Sequence, residues 1–306
     1  MHTGTSHSSA SAWPELPLAA WEDTYHTLHM WTQIAGKVRL ALSPRMNHWW
    51  EVPLYVNAVG LTTSPIPYRG EEFEIQFDFV NHRVLIETTE NKSRILPLRP
   101  MTVARFYHEF MAALESLGIE TKIWTMPCEV PDPTPFEKDT VHESYDPEYA
   151  NRFWRILVIC DAIFKQFRAG FIGKASPVHF FWGSFDLAVT RFSGRRAPER
   201  EGADPVTREA YSHEVISAGF WPGGGDVKGA AFYAYAAPEP AGFAQAPVRP
   251  REAFYDPQLK EFLLMYDDAR KSPSPKGTVL DFLQSTYDAG ADLGKWNRKE
   301  LEKAAA

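Results

Sequence analysis

Two histidines that precede aromatic residues are the first candidates for chemistry in this chain. His48 begins the run His-Trp-Trp, and His179 begins the run His-Phe-Phe. Imidazole is a common metal ligand and the side chain best suited to proton transfer near neutral pH. A third histidine, His213, is followed by Glu214, which could add a ligand or complete an acid–base pair. These residues predict a functional site that several dispersed segments build together.

The chemistry of this predicted site has a metal-assisted version and a metal-free version. In the first, one iron or zinc ion is held by His48, His179, His213 and Glu214, with one position open for a substrate. The sequence contains no HExxH motif and no paired CxxC, so the ligands would come from separate segments. In the second version, His179 or His213 acts as a general base that Asp186 or Glu214 orients.

Substrate-binding candidates follow from charge and aromatic character. Three arginines close to one another suit a carboxylate or phosphate, although an exposed basic loop that forms surface ion pairs would look the same. Tryptophans suit the walls of a pocket, and a hydroxyl can donate a hydrogen bond. The candidates are Arg191, Arg195, Arg196, Trp49, Trp50, Trp182, Trp221 and Thr63.

Composition excludes several classes of partner. The chain has 306 residues, a net charge of −7 and a pI near 5.8, so no nucleic-acid surface is expected. No apolar run approaches the roughly 18 residues that span a membrane. Residues 1–12 lack the features of a signal peptide and are expected to form a disordered leader, and a cytoplasmic protein is predicted. Phosphate-binding glycine motifs are missing, so no nucleotide cofactor is expected.

Periodicity predicts an α+β fold. Apolar residues at three- and four-residue steps predict four long helices, and two-residue alternation predicts antiparallel strands between them. The helices are expected at Asp23–Leu42, Thr102–Leu117, Pro147–Phe171 and Thr278–Leu293, and the main strands at residues 54–59, 73–79, 83–88, 119–126, 178–192, 232–236 and 262–265.

The two halves of the chain also suggest an internal duplication of a unit made of a helix, antiparallel strands and a second helix. When the second half of the chain is aligned on the first, His179 matches His48 at a shift of 131 residues. The apolar positions of the preceding helices and a Ser-Pro pair before each histidine match as well. The predicted organisation is a first repeat at 13–130, a linker at 131–147, a second repeat at 148–296 with inserted loops at 194–229, and a tail at 297–306. The helices are expected to pack on the sheets, with the two histidines near a shared cavity.

Four long strings carry a resemblance to a known family. They are NHWW, LTTSPIPY, HFFWGSFDLAVTRFSGRRAP and YSHEVISAGFWPGG. The chain resembles an uncharacterised bacterial family of about 300 residues, whose description is a domain of unknown function. This resemblance implies a stand-alone bacterial protein and transfers no activity.

The sequence therefore favours an enzyme that acts on a small anionic molecule through a histidine-rich pocket. The alternative is a non-catalytic protein that binds a small ligand between aromatic walls. The reaction, the substrate and the oligomeric state are not fixed by these patterns.

Overall fold

Helices and two antiparallel sheets form the chain over residues 13–303, which are the residues that the computed structural model describes. The predicted leader at 1–12 and the last three residues of the predicted tail lie outside the described residues. The helices of the described part are α1 (Glu22–Leu42), α2 (Val103–Ser116), α3 (Pro147–Ala169), α4 (Pro205–Ala210), α5 (Tyr266–Lys271), α6 (Pro275–Leu293) and α7 (Arg298–Leu301). None of them has the length and apolar character of a membrane span.

The first sheet comes from the first half of the chain. Its strands are β1 (Tyr55–Val56), β2 (Gly60–Thr62), β3 (Ile66–Tyr68), β4 (Glu71–Asp78), β5 (Arg83–Thr88) and β6 (Ser93–Pro97). Their order is β1-β2-β4-β5-β6, with β3 paired beside β4. The predicted strand at 119–126 is wrong, because that segment runs irregularly over the surface of α1 and has no strand partner.

The second sheet carries the longer strands. They are β7 (His179–Phe181), β8 (Asp186–Arg196), β9 (His213–Trp221), β10 (Ala231–Ala237), β11 (Phe254–Asp256) and β12 (Glu261–Met265), in the order β11-β12-β10-β9-β8-β7. The single long strand predicted at 178–192 is instead a hairpin, whose turn contains Phe185 at a φ of 59°. Gly183-Ser184 supplies the small residues on which that turn depends.

The two sheets meet at one backbone pair. The amide of Leu54 donates to the carbonyl of Phe180 at 2.9 Å, and the amide of Phe180 donates back at 2.9 Å. Both side chains are fully buried in a core that also receives the apolar stripes of α1 and α3. This contact fixes the edge of the first sheet against the edge of the second and creates a junction between them.

Short polar side chains cap the N-termini of three helices. Thr102, Asp146 and Asp204 each accept a hydrogen bond from a backbone amide in the first turn of α2, α3 and α4. Such caps satisfy amides that have no partner within the helix. The observed bounds of α1, α2 and α3 lie within two residues of the predicted ones, and α6 begins three residues earlier than predicted.

The α+β class is confirmed, whereas a common origin of the halves stays a prediction. Each half runs from a long helix through antiparallel strands to a second long helix. The two histidines, however, lie in different local structures: His48 is in a 3-10 turn with a φ of 58°, and His179 is the first residue of β7. The stretch predicted as inserted loops contains α4 and all of β9, because the apolar run of β9 lies between glycine-rich segments.

Candidate active site

The second sheet has one apolar face and one polar face. Alternation along β8 turns Leu187 and Val189 toward α3, and turns Asp186, Ala188 and Thr190 the other way. We call this second side the outer face. Through the strand register it also carries Ser217, Gly219, Tyr233, Tyr235, Glu261 and His179.

Small residues occupy the middle of the outer face. His179 pairs with Ala188, Ala188 with Gly219, and Gly219 with Tyr233, so these four residues form one row across four strands. The phenol of Tyr233 lies over Gly219, where a Cβ atom would collide with its hydroxyl oxygen. The absence of a side chain at Gly219 therefore lets Tyr233 reach across β9 to β8.

Asp186 receives the Tyr233 hydroxyl. This hydroxyl donates to Oδ2 of Asp186, and the Asp186 side chain is 6% exposed. Among residues 13–303 Asp186 has no lysine or arginine as an ion-pair partner. Burial, reinforced by the charge of Glu129 and opposed by the Tyr233 hydrogen bond, raises the pKa of Asp186 to about 7.

Glu261 is a second carboxyl group with unusual acidity on this face. Burial raises its pKa to about 7, and the charge of Asp186 adds to the rise. Two pairs of hydrogen-bonded hydroxyl groups complete the polar surface. The hydroxyl oxygens of Tyr211 and Tyr235 are 2.9 Å apart, and those of Thr190 and Ser217 are also 2.9 Å apart. The outer face thus combines two proton-carrying carboxyls with hydrogen-bonding hydroxyls.

His179 is a diagonal neighbour of Asp186, since His179 pairs with Ala188 and Phe181 pairs with Asp186. Its side chain is fully buried, and within residues 13–303 neither ring nitrogen has a hydrogen-bond partner. Burial, aided by the charges of Arg39 and Arg168, lowers the pKa of His179 to about 3, so the imidazole is neutral. The rings around it are Trp50 at 5.8 Å, Tyr55 at 5.6 Å and Phe181 at 5.4 Å between centroids.

His48 and His213 form a separate pair, with ring centroids 5.6 Å apart. Nδ1 of His48 donates to the carbonyl of Glu209 at 3.1 Å, which leaves Nε2 to accept from Nζ of Lys174 at 2.6 Å. Burial and the charge of Lys174 lower the pKa of both histidines. Both nitrogens of His48 are therefore already used in the fold.

The four residues predicted as metal ligands do not converge. Trp50 lies between His48 and His179, with each of these rings within 6 Å of its own. Glu214 is bound to Arg195, with an N–O distance of 2.6 Å. In the described part of the chain no group of three or more His, Cys, Asp or Glu residues could hold a metal ion. This arrangement does not fit the predicted iron or zinc site.

Two of the three arginines predicted to bind substrate, Arg191 and Arg195, have structural partners for their side chains. Arg191 is 2% exposed and faces the helix side, where its guanidinium lies 3.5 Å from the Phe167 ring centroid and donates to the Phe167 carbonyl. Arg195 donates to Glu214 and to the carbonyl of Gly294 at the end of α6. Arg196 is exposed and pairs with His213 across the sheet. The clustering in sequence was misleading because the register of β8 shifts between Phe192 and Arg196, so the later arginines do not continue the regular part of the strand that holds Arg191.

Only some of the predicted aromatic residues reach the outer face. Trp50 lies against His179. Trp221 lies near the Tyr25 hydroxyl, on which the charge of Asp186 also acts. Trp49 lies under the Arg45 guanidinium at 4.3 Å.

Trp182 and Thr63 stabilise the fold and contribute nothing to this face. Trp182 packs on Gly36 of α1 and donates to the carbonyl of Val52 at 2.8 Å. Oγ1 of Thr63 accepts from the amide of Ile75 at 3.0 Å within the first sheet. Both are buried. Their polar atoms are engaged by nearby backbone groups, so neither residue lies with the group on the outer face.

Several residues of the site were missed by sequence reasoning. Tyr233 and Tyr235 alternate with alanine and phenylalanine in β10, so their shared face was available as a signal. Gly219 and Glu261 gave no such signal, because their role depends on which strands become neighbours.

Gly219→Ala should test the placement of Tyr233. We expect a loss of about 2–3 kcal/mol in the free energy of unfolding, because a Cβ atom at this position overlaps Tyr233 and the Leu187 carbonyl. Urea denaturation measures the change. Gly170→Ala is the matched control, since a Cβ there meets only the Phe167 carbonyl at 3.6 Å. Equal stability of the two variants would contradict the close approach of Tyr233 to β9.

Comparison with known proteins gives one match. The model of the family of unknown function DUF5996 matches residues 13–303. No curated protein matches the chain. No solved structure matches it either. Because the matched segment covers nearly the whole chain, the protein belongs to the family of unknown function DUF5996.

Proposed function

We propose that the protein is an enzyme that carries out acid–base chemistry on a small molecule bound at the outer face of the second sheet. The observation that carries the proposal is the placement of Asp186. This buried carboxyl accepts the Tyr233 hydroxyl, lacks a cationic partner in the described part of the chain, and lies diagonally beside the unpartnered imidazole of His179. Buried polar groups left in this state are typical of functional sites.

Asp186 is assigned as the proton carrier. A carboxyl with a pKa of about 7 is present in both its protonated and its ionised form near neutral pH, as an acid or base in turnover requires. Tyr233 holds one carboxyl oxygen and leaves the other for a substrate proton. The neutral imidazole of His179 offers one donor and one acceptor to a polar group of the substrate.

This proposal retains two of the residues that sequence reasoning placed in a catalytic site, Asp186 and His179. Glu214 instead forms an ion pair with Arg195, and Arg195 also donates to a carbonyl at the end of α6. No step is assigned to a metal ion or a nucleotide. A small molecule is the proposed partner, and a cytoplasmic location remains part of the proposal.

A non-catalytic ligand-binding protein is the second candidate. The three rings around His179, from Trp50, Tyr55 and Phe181, favour it, because aromatic walls bind apolar or planar groups without further chemistry. In that case Asp186 would contribute to affinity without any dependence of turnover on it.

Substrate screening with matched variants tests the proposal. Mixtures of small metabolites are incubated with the wild-type protein, and their consumption is followed by proton NMR. We expect a compound whose turnover falls about 100-fold or more in Asp186→Asn, the usual size of a general acid–base contribution. Asp281→Asn, at an exposed position of α6, should turn over that compound at the wild-type rate.

The outcomes separate the two candidates. A compound that binds without being consumed supports the binding protein, whereas turnover that survives Asp186→Asn overturns the assigned proton carrier. Binding in each case is followed by the thermal stability of the protein, which a ligand of the folded state raises.

A further inference from the structure

We propose that Arg39 and His179 form a carboxylate-binding subsite at the junction of the two sheets, and that the substrate of this protein carries a carboxylate group. The proposal rests on the proposed function in one respect: the carboxylate would belong to the molecule on which Asp186 acts. The geometry of the junction carries the subsite itself.

Unpartnered nitrogen atoms concentrate at this junction. His179 is fully buried and Arg39 is 5% exposed. Within residues 13–303 neither nitrogen of His179 nor Nε of Arg39 has a hydrogen-bond partner. Leaving one such buried group unsatisfied costs about 1–3 kcal/mol, so a bound acceptor that satisfies two donors at once is strongly favoured.

Tyr55 connects the two residues. The Arg39 guanidinium lies 5.5 Å from the ring centroid of Tyr55, and its charge lowers the pKa of the Tyr55 hydroxyl against the larger effect of burial. The ring of His179 meets the same tyrosine edge-on at 5.6 Å. Arg39 arrives from the last turns of α1, Tyr55 from β1 and His179 from β7, so the junction of the sheets brings together residues far apart in the chain.

The charge around these nitrogens favours an anion. The charges of Arg39 and Arg168 both act on His179. Glu51 is the carboxylate that acts on Arg39, but it accepts the amide of Met46 and forms no ion pair with Arg39 among the described residues. These two guanidinium groups place positive charge near the imidazole. A bound carboxylate would neutralise it and accept from Nε of Arg39 and from a ring N–H of His179.

The aromatic residues around His179 are closer to solvent than the imidazole itself. Trp50, Tyr55 and Phe181 surround His179 and are each partly exposed, whereas the imidazole is not. Trp50 belongs to an irregular segment that contacts the rings of His48 and Phe192 at its other edge. A ligand that enters here would have its carboxylate next to His179 and the rest of its body toward Asp186, the diagonal neighbour.

Sodium acetate is the probe, because it carries the carboxylate alone. The ring resonances of His179, identified by their loss in His179→Gln, are followed by NMR during titration at constant ionic strength with sodium chloride. We expect a saturable shift with acetate that weakens at least tenfold in Arg39→Met. Arg251→Met is the matched control, since Arg251 is exposed and, within residues 13–303, forms its ion pair with the adjacent Glu252 alone. This control should bind acetate like the wild type.

A crystal structure from acetate-containing solution keeps the test valid if Arg39→Met fails to fold. Density for acetate between Nε of Arg39 and His179 supports the subsite, and density for an isolated water there overturns it. Equal shifts with acetate and chloride, or full acetate binding by Arg39→Met, would also overturn it. Acetate binding by a wild-type protein that consumes no compound in the metabolite screen would support the subsite and contradict the proposed function. Turnover that depends on Asp186 but acts on compounds without a carboxylate would support the proposed function and contradict the carboxylate subsite.

Discussion

Asp186→Asn is expected to make the protein more stable than the wild type at high pH, by up to about 4 kcal/mol at about pH 9. The pKa of Asp186 is about 7 in the folded state against an ordinary value of 3.8, because the carboxyl is buried. The folded state therefore holds the proton more tightly than the unfolded state does. This stabilisation is complete below about pH 4 and is lost as the pH rises through about 7.

The asparagine variant removes this loss because its side chain cannot ionise. It keeps an oxygen that accepts the Tyr233 hydroxyl, so the packing around β8 is preserved. Urea denaturation of both proteins at about pH 5 and about pH 9 measures the effect, which should be several-fold larger at the higher pH. Asp281→Asn should show no such dependence, since Asp281 is exposed. A variant that is less stable than the wild type at about pH 9 would show that the ionised carboxylate is well solvated or paired.

Glu261 is a second group whose ionisation contributes to the pH dependence in this experiment. Its pKa is also about 7, partly through the charge of Asp186, so it should fall when Asp186 becomes asparagine. The pH at which stability changes in Asp186→Asn then belongs to Glu261 and should lie below that of the wild type. Glu261→Gln isolates the contribution of Asp186 in the same way.

The sequence predicted the local structure of this protein better than its long-range pairing. The apolar stripes of α1, α2 and α3 and the alternation in β10 depend on neighbouring residues, and the observed elements lie close to the predicted ones. Alternation along β8 also correctly separates Asp186 from its apolar neighbours. The same alternation places Arg191 on the helix side, although its nearness to Arg195 had suggested a shared role.

The composition of the site depends on pairings that no local pattern contains. Tyr233 meets Asp186 because β9 places a glycine between them, and β9 itself was hidden among glycine- and proline-rich segments. Arg39 and His179 both approach Tyr55 because Leu54 and Phe180 join the two sheets by a single backbone pair. His48 resembles His179 in its sequence context, but a 3-10 turn directs it to Glu209 and Lys174. Sequence reasoning thus named His179 and Asp186 as candidates but did not indicate Tyr233 and Arg39 as their neighbours.

His179→Leu is expected to raise the free energy of unfolding by about 1–3 kcal/mol and to abolish the binding of any ligand at the outer face. The imidazole is fully buried with both nitrogens unpartnered, and its surroundings are mainly aromatic rings. A leucine of similar volume removes two unsatisfied polar atoms and keeps the apolar contacts. Stability gained at the cost of function is the behaviour of a residue that is retained for chemistry or binding.

The control and the contrary result decide between a functional and a structural histidine. His108→Leu, at an exposed position of α2, should change the stability by less than about 0.5 kcal/mol and leave ligand binding intact. Urea denaturation and the shift in melting temperature with ligand report the two effects separately. If His179→Leu instead loses stability, its nitrogens must bind ordered water in the folded protein, and the imidazole is then a structural element of the junction. In that event Arg39 would have a water network as its partner in place of a carboxylate. The stability of His179→Leu therefore tests both the structural role of the imidazole and the ligand proposed for the junction.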